Sequence, residues 1–228
     1  PYYCSNWRHS EDQILLENKK VISEGKAQFI YVYLPKLDGV MHNFGPISDQ
    51  SEAKLKDLEQ KILGLFSFAR KIYDDVSLYV ISDHGMAPVT GSYDLMKDIE
   101  ALGLEYGKDY IAFYDSTMAR FWWHNNAAKT AILDHLSTLD CGYVVPNEEL
   151  KLLRVQFPHN KFGDTYFLMN EGLLINPSYM GLEVIPGMHG YHPDASHSYS
   201  VMLSNRQIPQ DILSITDIRK TMEKELVR

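Results

Sequence analysis

The chain has 228 residues, 45% hydrophobic and 23% charged, a composition that supports a sizeable core and excludes disorder, a collagen-like repeat and a coiled coil. With 22 Lys and Arg against 30 Asp and Glu its formal charge is −8, the wrong sign for a surface that tracks long nucleic acid or an anionic membrane. Cys4 and Cys141 are too few for a disulfide framework, and no apolar run is long enough for a membrane span, so a soluble large domain, or a core with a lid, is expected.

Residues 29–34, FIYVYL, form an apolar run of strand length that Pro35 stops. From Ser48 the pattern changes: Leu55, Leu58, Ile62, Leu65, Phe66, Ala69 and Ile72 recur at three- and four-residue intervals, predicting an amphipathic helix capped by Ser48 or Ser51. Residues 76–82, VSLYVIS, are a second apolar run, and strand, helix, strand in this order predicts a parallel βαβ unit with both faces of the sheet covered. Residues 95–187 read differently, as the short runs IAFYD, ARFWWH, GYVVP, TYFLMN and LLINP between turn residues, with a helix over 126–139. In that stretch Phe113, Tyr114 and the tract from Phe121 to His124 are expected to pack a core strand on both faces. A core-like strand over 198–203 and a helix over 209–227 complete the chain. The expected architecture is α/β, a mostly parallel sheet with helices on both faces. Its core would comprise 1–94 and 188–228, interrupted by a strand-rich α+β subdomain, 95–187, that is a candidate substrate lid.

The chemistry lies where Asp and His fall relative to the strands, because open parallel sheets place ligand sites beyond the carboxyl ends of their strands. Asp38 and His42 stand in KLDGVMHNFG after the first strand, Asp83 and His84 in ISDHGM after the second, and His189 in PGMHGYHPD before the last. Carboxylate oxygen and imidazole nitrogen suit zinc or manganese, and two such ions can clamp both the attacking and the leaving oxygens of a phosphoryl displacement. Gly39, Gly45, Gly85, Gly187 and Gly190 flank these side chains and are expected to let short loops turn sharply. Taken singly, Asp38 reads as a cap or turn former, and His42 and His189 as ordinary surface or core histidines; their joint placement makes the case. His192, Asp194 and His197 read equally as substrate or supporting contacts and as members of a polar loop.

The blocks KLDGVMHNFGP, VISDHGM and GMHGYHPD together resemble the metal-binding blocks of the alkaline phosphatase superfamily, nearest its type I phosphodiesterase and nucleotide pyrophosphatase branch. The resemblance implies an alkaline phosphatase-like fold and two divalent ions, most simply zinc with manganese as an alternative. One ion would be held by Asp38, His42 and His189 and the other by Asp83 and His84, with a small phosphoester or nucleotide as substrate. The family's further Asp and its Thr or Ser nucleophile have no counterpart before Asp38; Ser5, Ser10 and Ser23 lie in no strand-then-helix context. The nucleophile is therefore expected upstream of Pro1, in a longer enzyme of which this chain alone would be weak or inactive. A phosphomonoesterase, sulfatase, phosphonate hydrolase or phosphoglycerate mutase shares the same ligands, and a non-catalytic α/β binding module is a reading from another class. The opening PYYCSNWRHSEDQ shows no signal pattern, which favours a cytoplasmic over a secreted or periplasmic location, although a signal could precede Pro1. The sequence does not indicate an oligomeric state.

Overall fold

A polar residue before an apolar period sets where the first helix begins. The Ser10 hydroxyl accepts the Gln13 N–H, and Glu11 and Asp12 stand in the first turn, where negative charge complements the helix dipole. The resulting helix α1 (Glu11–Ser23) buries Glu11, Ile14, Asn18 and Ile22 along one stripe. The computed structural model describes residues 2–4, 6, 8–212 and 214–226. These fall into two compact units, Pro1–Gly85 with Ser200–Arg228, and Met86–Tyr199.

In the first unit, β1 (Tyr2–Cys4) pairs in parallel with β2 (Phe29–Tyr31), the part of the first apolar run that enters a ladder. The segment after Pro35 is a helix, α2 (Lys36–Phe44), and not the short loop expected for Asp38 and His42. Gly39 lies inside it with nothing within 4 Å of an added Cβ, so it serves no turn and costs helix stability of up to about 1 kcal/mol relative to alanine. Asp38 in the first turn and His42 in the last fit the dipole of such a helix. The sharp turn comes at Gly45, whose φ of 83° ends α2; its carbonyl accepts the hydroxyls of Ser48 at 3.0 Å and Ser51 at 2.6 Å.

Ser48 then caps α3 (Asp49–Ala69), as its period predicts. The next strand, β3 (Tyr79–Ile81), runs antiparallel to β12 (Met202–Ser204). The strand expected over 198–203 therefore sits later, and Ser196–Ser198 form a 3-10 turn. The last helix, α7, spans Ile218–Leu226 and does not start at Pro209. Its entry is fixed by a capping box in which Ser214 and Asp217 satisfy one another's backbone amides; the predicted end at Val227 lies outside the described residues.

Helices α1 and α3 are joined by charge. Glu11, 2% exposed, meets both Lys54 and Lys61, and each lysine also reaches Asp57, at 2.8 and 2.9 Å. Hydrogen bonds from Lys54 and Lys61 hold the Asp57 carboxyl below its usual range, whereas Asp57 and Glu11 hold the Lys61 ammonium above its own. The Asp57 contribution is lost as pH falls through its lowered pKa, and that of Lys61 as pH rises through its raised one, so the cluster favours the neutral range. Glu11→Ala leaves two half-buried lysines with Asp57 and, for Lys61, the exposed Asp12, and a loss of about 1–3 kcal/mol in urea unfolding is expected; an unchanged midpoint would show that Glu11 contributes nothing to the cluster.

The second unit contains β4 (Ala87–Pro88), β5 (Gly91–Tyr93), α4 (Leu95–Glu100), β6 (Tyr110–Tyr114), β7 (Met118–Trp123), α5 (Asn126–Leu136), β8 (Gly142–Val144), α6 (Asn147–Leu152), β9 (Thr165–Met169), β10 (Leu173–Ile175) and β11 (Gly187–Met188). Its four-stranded antiparallel sheet has the order β6-β7-β9-β8. Alternation turns Tyr110, Ala112, Tyr114, Ala119, Phe121, Phe167 and Met169 into one core, against Leu95 and Ile99 of α4 and Ile132 and Leu136 of α5. On the opposite face Tyr166, Leu168, Val145 and Leu150 form a smaller cluster. Two-stranded ladders join β10 in parallel to β5 and β11 antiparallel to β4. Mixed α/β, with a strand-rich part inserted in the chain, is thus the observed architecture.

Candidate metal site

Helical periodicity brings Asp38 and His42 together, because residues four apart share a face of α2; His42 Nε2 stands 3.4 Å from Asp38 Oδ1. Strand β3 ends at Ile81, and the chain turns at once into Asp83 and His84. The Asp83 carboxylate accepts the His84 backbone N–H at 3.1 Å and lies 3.5 Å from His84 Nε2. His84 Nδ1 stands 2.9 Å from the Gly85 carbonyl, which can only accept, so Nδ1 carries the proton and the ring's lone pair is on Nε2. A carboxylate oxygen of Asp38 and a ring nitrogen of His84 lie within 4.8 Å of one another. The first unit therefore brings Asp38, His42, Asp83 and His84 together from a helix and a strand end. Oxygen and imidazole nitrogen at this spacing form a donor set that suits zinc.

His189 is carried by the second unit, directly after β11. Its neighbours are pinned one by one. Gly190 has φ of +95°, and an added Cβ would approach the Thr117 hydroxyl to 2.9 Å, so only glycine fits. Its carbonyl accepts that same hydroxyl at 3.0 Å. Tyr191, 6% exposed, donates its phenol O–H to the Leu173 carbonyl at 3.2 Å. His192 Nε2 lies 3.2 Å from Glu149, and Asp194 is largely exposed, its backbone N–H donating to His192 Nδ1 at 3.1 Å. His197 meets Glu171 at 3.0 Å. Glu149 also accepts the Tyr143 hydroxyl at 2.8 Å, and burial together with this bond pushes the Tyr143 phenol up to about 12. Thr117, Tyr143 and Glu149 carry no sequence signal; they matter through the register of β7, β8 and β9, which periodicity does not supply.

A family model described as type I phosphodiesterase / nucleotide pyrophosphatase matches residues 4–192. Human ectonucleotide pyrophosphatase / phosphodiesterase 5 superposes with a TM-score of 0.79 at 15% identity, over 99% of this chain and 67% of that one. Its murine counterpart gives 0.76 at 19% identity over 97% and 60%. An inactive variant of the murine protein, in complex with AMP, gives 0.74 at 20% identity, over 97% and 60%. Phosphonoacetate hydrolase from Sinorhizobium meliloti 1021, in complex with phosphonoformate, gives 0.68 at 14% identity, over 95% and 55%. The likeness is one of fold, and the chain spans 60% of the murine protein's length. No helix of the described residues is long and apolar enough to cross a membrane.

Proposed function

The chain belongs to the type I phosphodiesterase / nucleotide pyrophosphatase family, and from that premise we propose that it is part of a metal-dependent hydrolase of phosphodiester or pyrophosphate bonds. It supplies metal ligands and not the nucleophile. The observation that carries the reading is the approach of Asp38 and His84 to within 4.8 Å from separate elements, with His42 and Asp83 beside them. Asp38, His42 and His189 would hold one divalent ion, zinc by donor chemistry, and Asp83 and His84 would contribute to a second. Bound there, the two ions would polarise the phosphoryl oxygens and neutralise the charge that develops on them. Asp38 and Asp83 add the negative charge that retains cations. His84 keeps its proton on Nδ1 through the Gly85 carbonyl, and so presents the nitrogen that can ligate. The segment 95–187 would cover the substrate and set its leaving group, and AMP in the murine variant supports a nucleotide among the substrates.

The test uses the full-length enzyme. It should cleave bis(4-nitrophenyl) phosphate faster than 4-nitrophenyl phosphate, lose that activity to a chelator, and regain it with zinc. Preference for the monoester would replace this reading by a phosphomonoesterase, and no hydrolysis with added zinc by a binding module. The fold shared with phosphonoacetate hydrolase favours a second reading, which phosphate release from phosphonoacetate without diester cleavage would establish.

A further inference from the structure

We propose that Glu149 is a positioning residue for His189, acting through His192 to fix the backbone on which that ligand stands. The inference rests on the reading of His189 as a metal ligand. Its physical content is a closed set of bonds within the second unit. The Asp194 backbone N–H donates to His192 Nδ1 at 3.1 Å, which leaves that nitrogen without a proton and places the proton on Nε2. Nε2 faces Glu149 Oε1 at 3.2 Å, so the imidazole donates there, and its ring is oriented from both sides. The same carboxylate oxygen accepts the Tyr143 hydroxyl at 2.8 Å, which holds it in place from β8.

Glu149 is itself well supported. Its neighbour Leu150 is 5% exposed and packs with Val145, Tyr166 and Leu168, so the first turn of α6 cannot drift from the sheet. Upstream of His192, Thr117 holds Gly190 and the Leu173 carbonyl holds Tyr191. Upstream again, Gly187 and Met188 are in the ladder with β4. His189 is therefore flanked on both sides by residues tied to the strand-rich unit, and Glu149 ties the downstream end. A glutamate six residues beyond Tyr143 in an unremarkable NEEL helix start gains its role only from the folded chain.

The experiment measures zinc affinity of the full-length protein by competition with a chromogenic chelator, alongside thermal melting and steady-state kinetics. Glu149→Ala is expected to weaken zinc about tenfold and to lower kcat with little change in KM. Glu149→Gln, which keeps an oxygen for both donors, is expected to restore both. His192→Ala, which keeps Glu149 and its bond to Tyr143, should reproduce the alanine effect and serves if Glu149→Ala fails to fold. Equal losses in melting temperature for the Ala and Gln variants with unaltered zinc affinity would mean a purely structural role and overturn the proposal. His189→Ala separates the two levels of inference. If it leaves zinc uptake unchanged, the metal-ligand reading has failed; if it abolishes uptake while Glu149→Ala and His192→Ala do not weaken it, the positioning role alone has failed.

Discussion

Replacing Asp38 by alanine in the full-length protein is expected to lower kcat/KM for a phosphodiester by at least about a thousandfold, because several kcal/mol of transition-state charge stabilisation would go with the ion it is proposed to hold. The fold should survive. Asp38 sits in the first turn of α2 with its side chain about half exposed, and alanine is the better helix former, so the loss of a favourable dipole interaction, up to about 1 kcal/mol, is partly offset. His84→Ala should be as damaging, because it removes the side chain that approaches Asp38 from the turn after β3. Bound zinc, counted by atomic spectroscopy, should fall in both variants while the far-ultraviolet circular dichroism stays unchanged. Activity within tenfold of the parent in either variant, at full zinc occupancy, would remove that residue from the metal site.

Much of this was legible in the sequence because apolar runs locate strand ends, and strand ends locate chemistry. VISDHGM reads as a strand followed by a polar pair, and β3 with Asp83 and His84 is what folds. The short runs of the 95–187 stretch became β6 to β10, since alternation on a half-covered sheet leaves a period of two in the text. Helix α2 was not legible for an instructive reason. Gly39 and Gly45 look alike in the sequence, yet one lies inside a helix and the other ends it at φ of 83°; glycine permits a turn without requiring one. The spacing of Asp38 and His42 carried the helical signal, one turn apart on a shared face, and the glycines outweighed it. The start of α7 is obscured in the same way: Pro209 resembles a first-turn proline, but the helix waits for Ser214 and Asp217, whose side chains satisfy orphan amides that a proline leaves open. Thr117 and Glu149 belong to a third kind. Their roles arise from partners far along the chain, Gly190 and His192, which only strand register brings close.

The aromatic tract gives the clearest energetic contrast. Phe121→Ala is expected to destabilise the protein by about 3–5 kcal/mol, because Phe121 has no exposed surface and lies at the centre of the larger core. Its ring meets Tyr114 edge-on at 6.0 Å and stacks on Trp123 at 5.4 Å, contacts that add to the transfer term. The neighbouring Trp122 has the larger side chain, but the pleat turns it to the other face, half-buried, with its indole N–H donating to the Asn160 carbonyl at 3.1 Å. Trp122→Ala should therefore cost clearly less, about 1–2 kcal/mol from one hydrogen bond and partial burial. Urea unfolding of the two variants compares them directly, with agreement between the kinetic and equilibrium free energies as the check on two-state behaviour. A larger cost at Trp122 than at Phe121 would mean that β7 is slipped by one residue, since such a slip exchanges the two faces. The consequence would reach the candidate metal site, because such a slip turns Thr117, at the turn before β7, away from Gly190 and releases the backbone next to His189. Ranking two adjacent aromatic residues in the β-sheet thus tests the support of His189, the proposed ligand far from them in sequence.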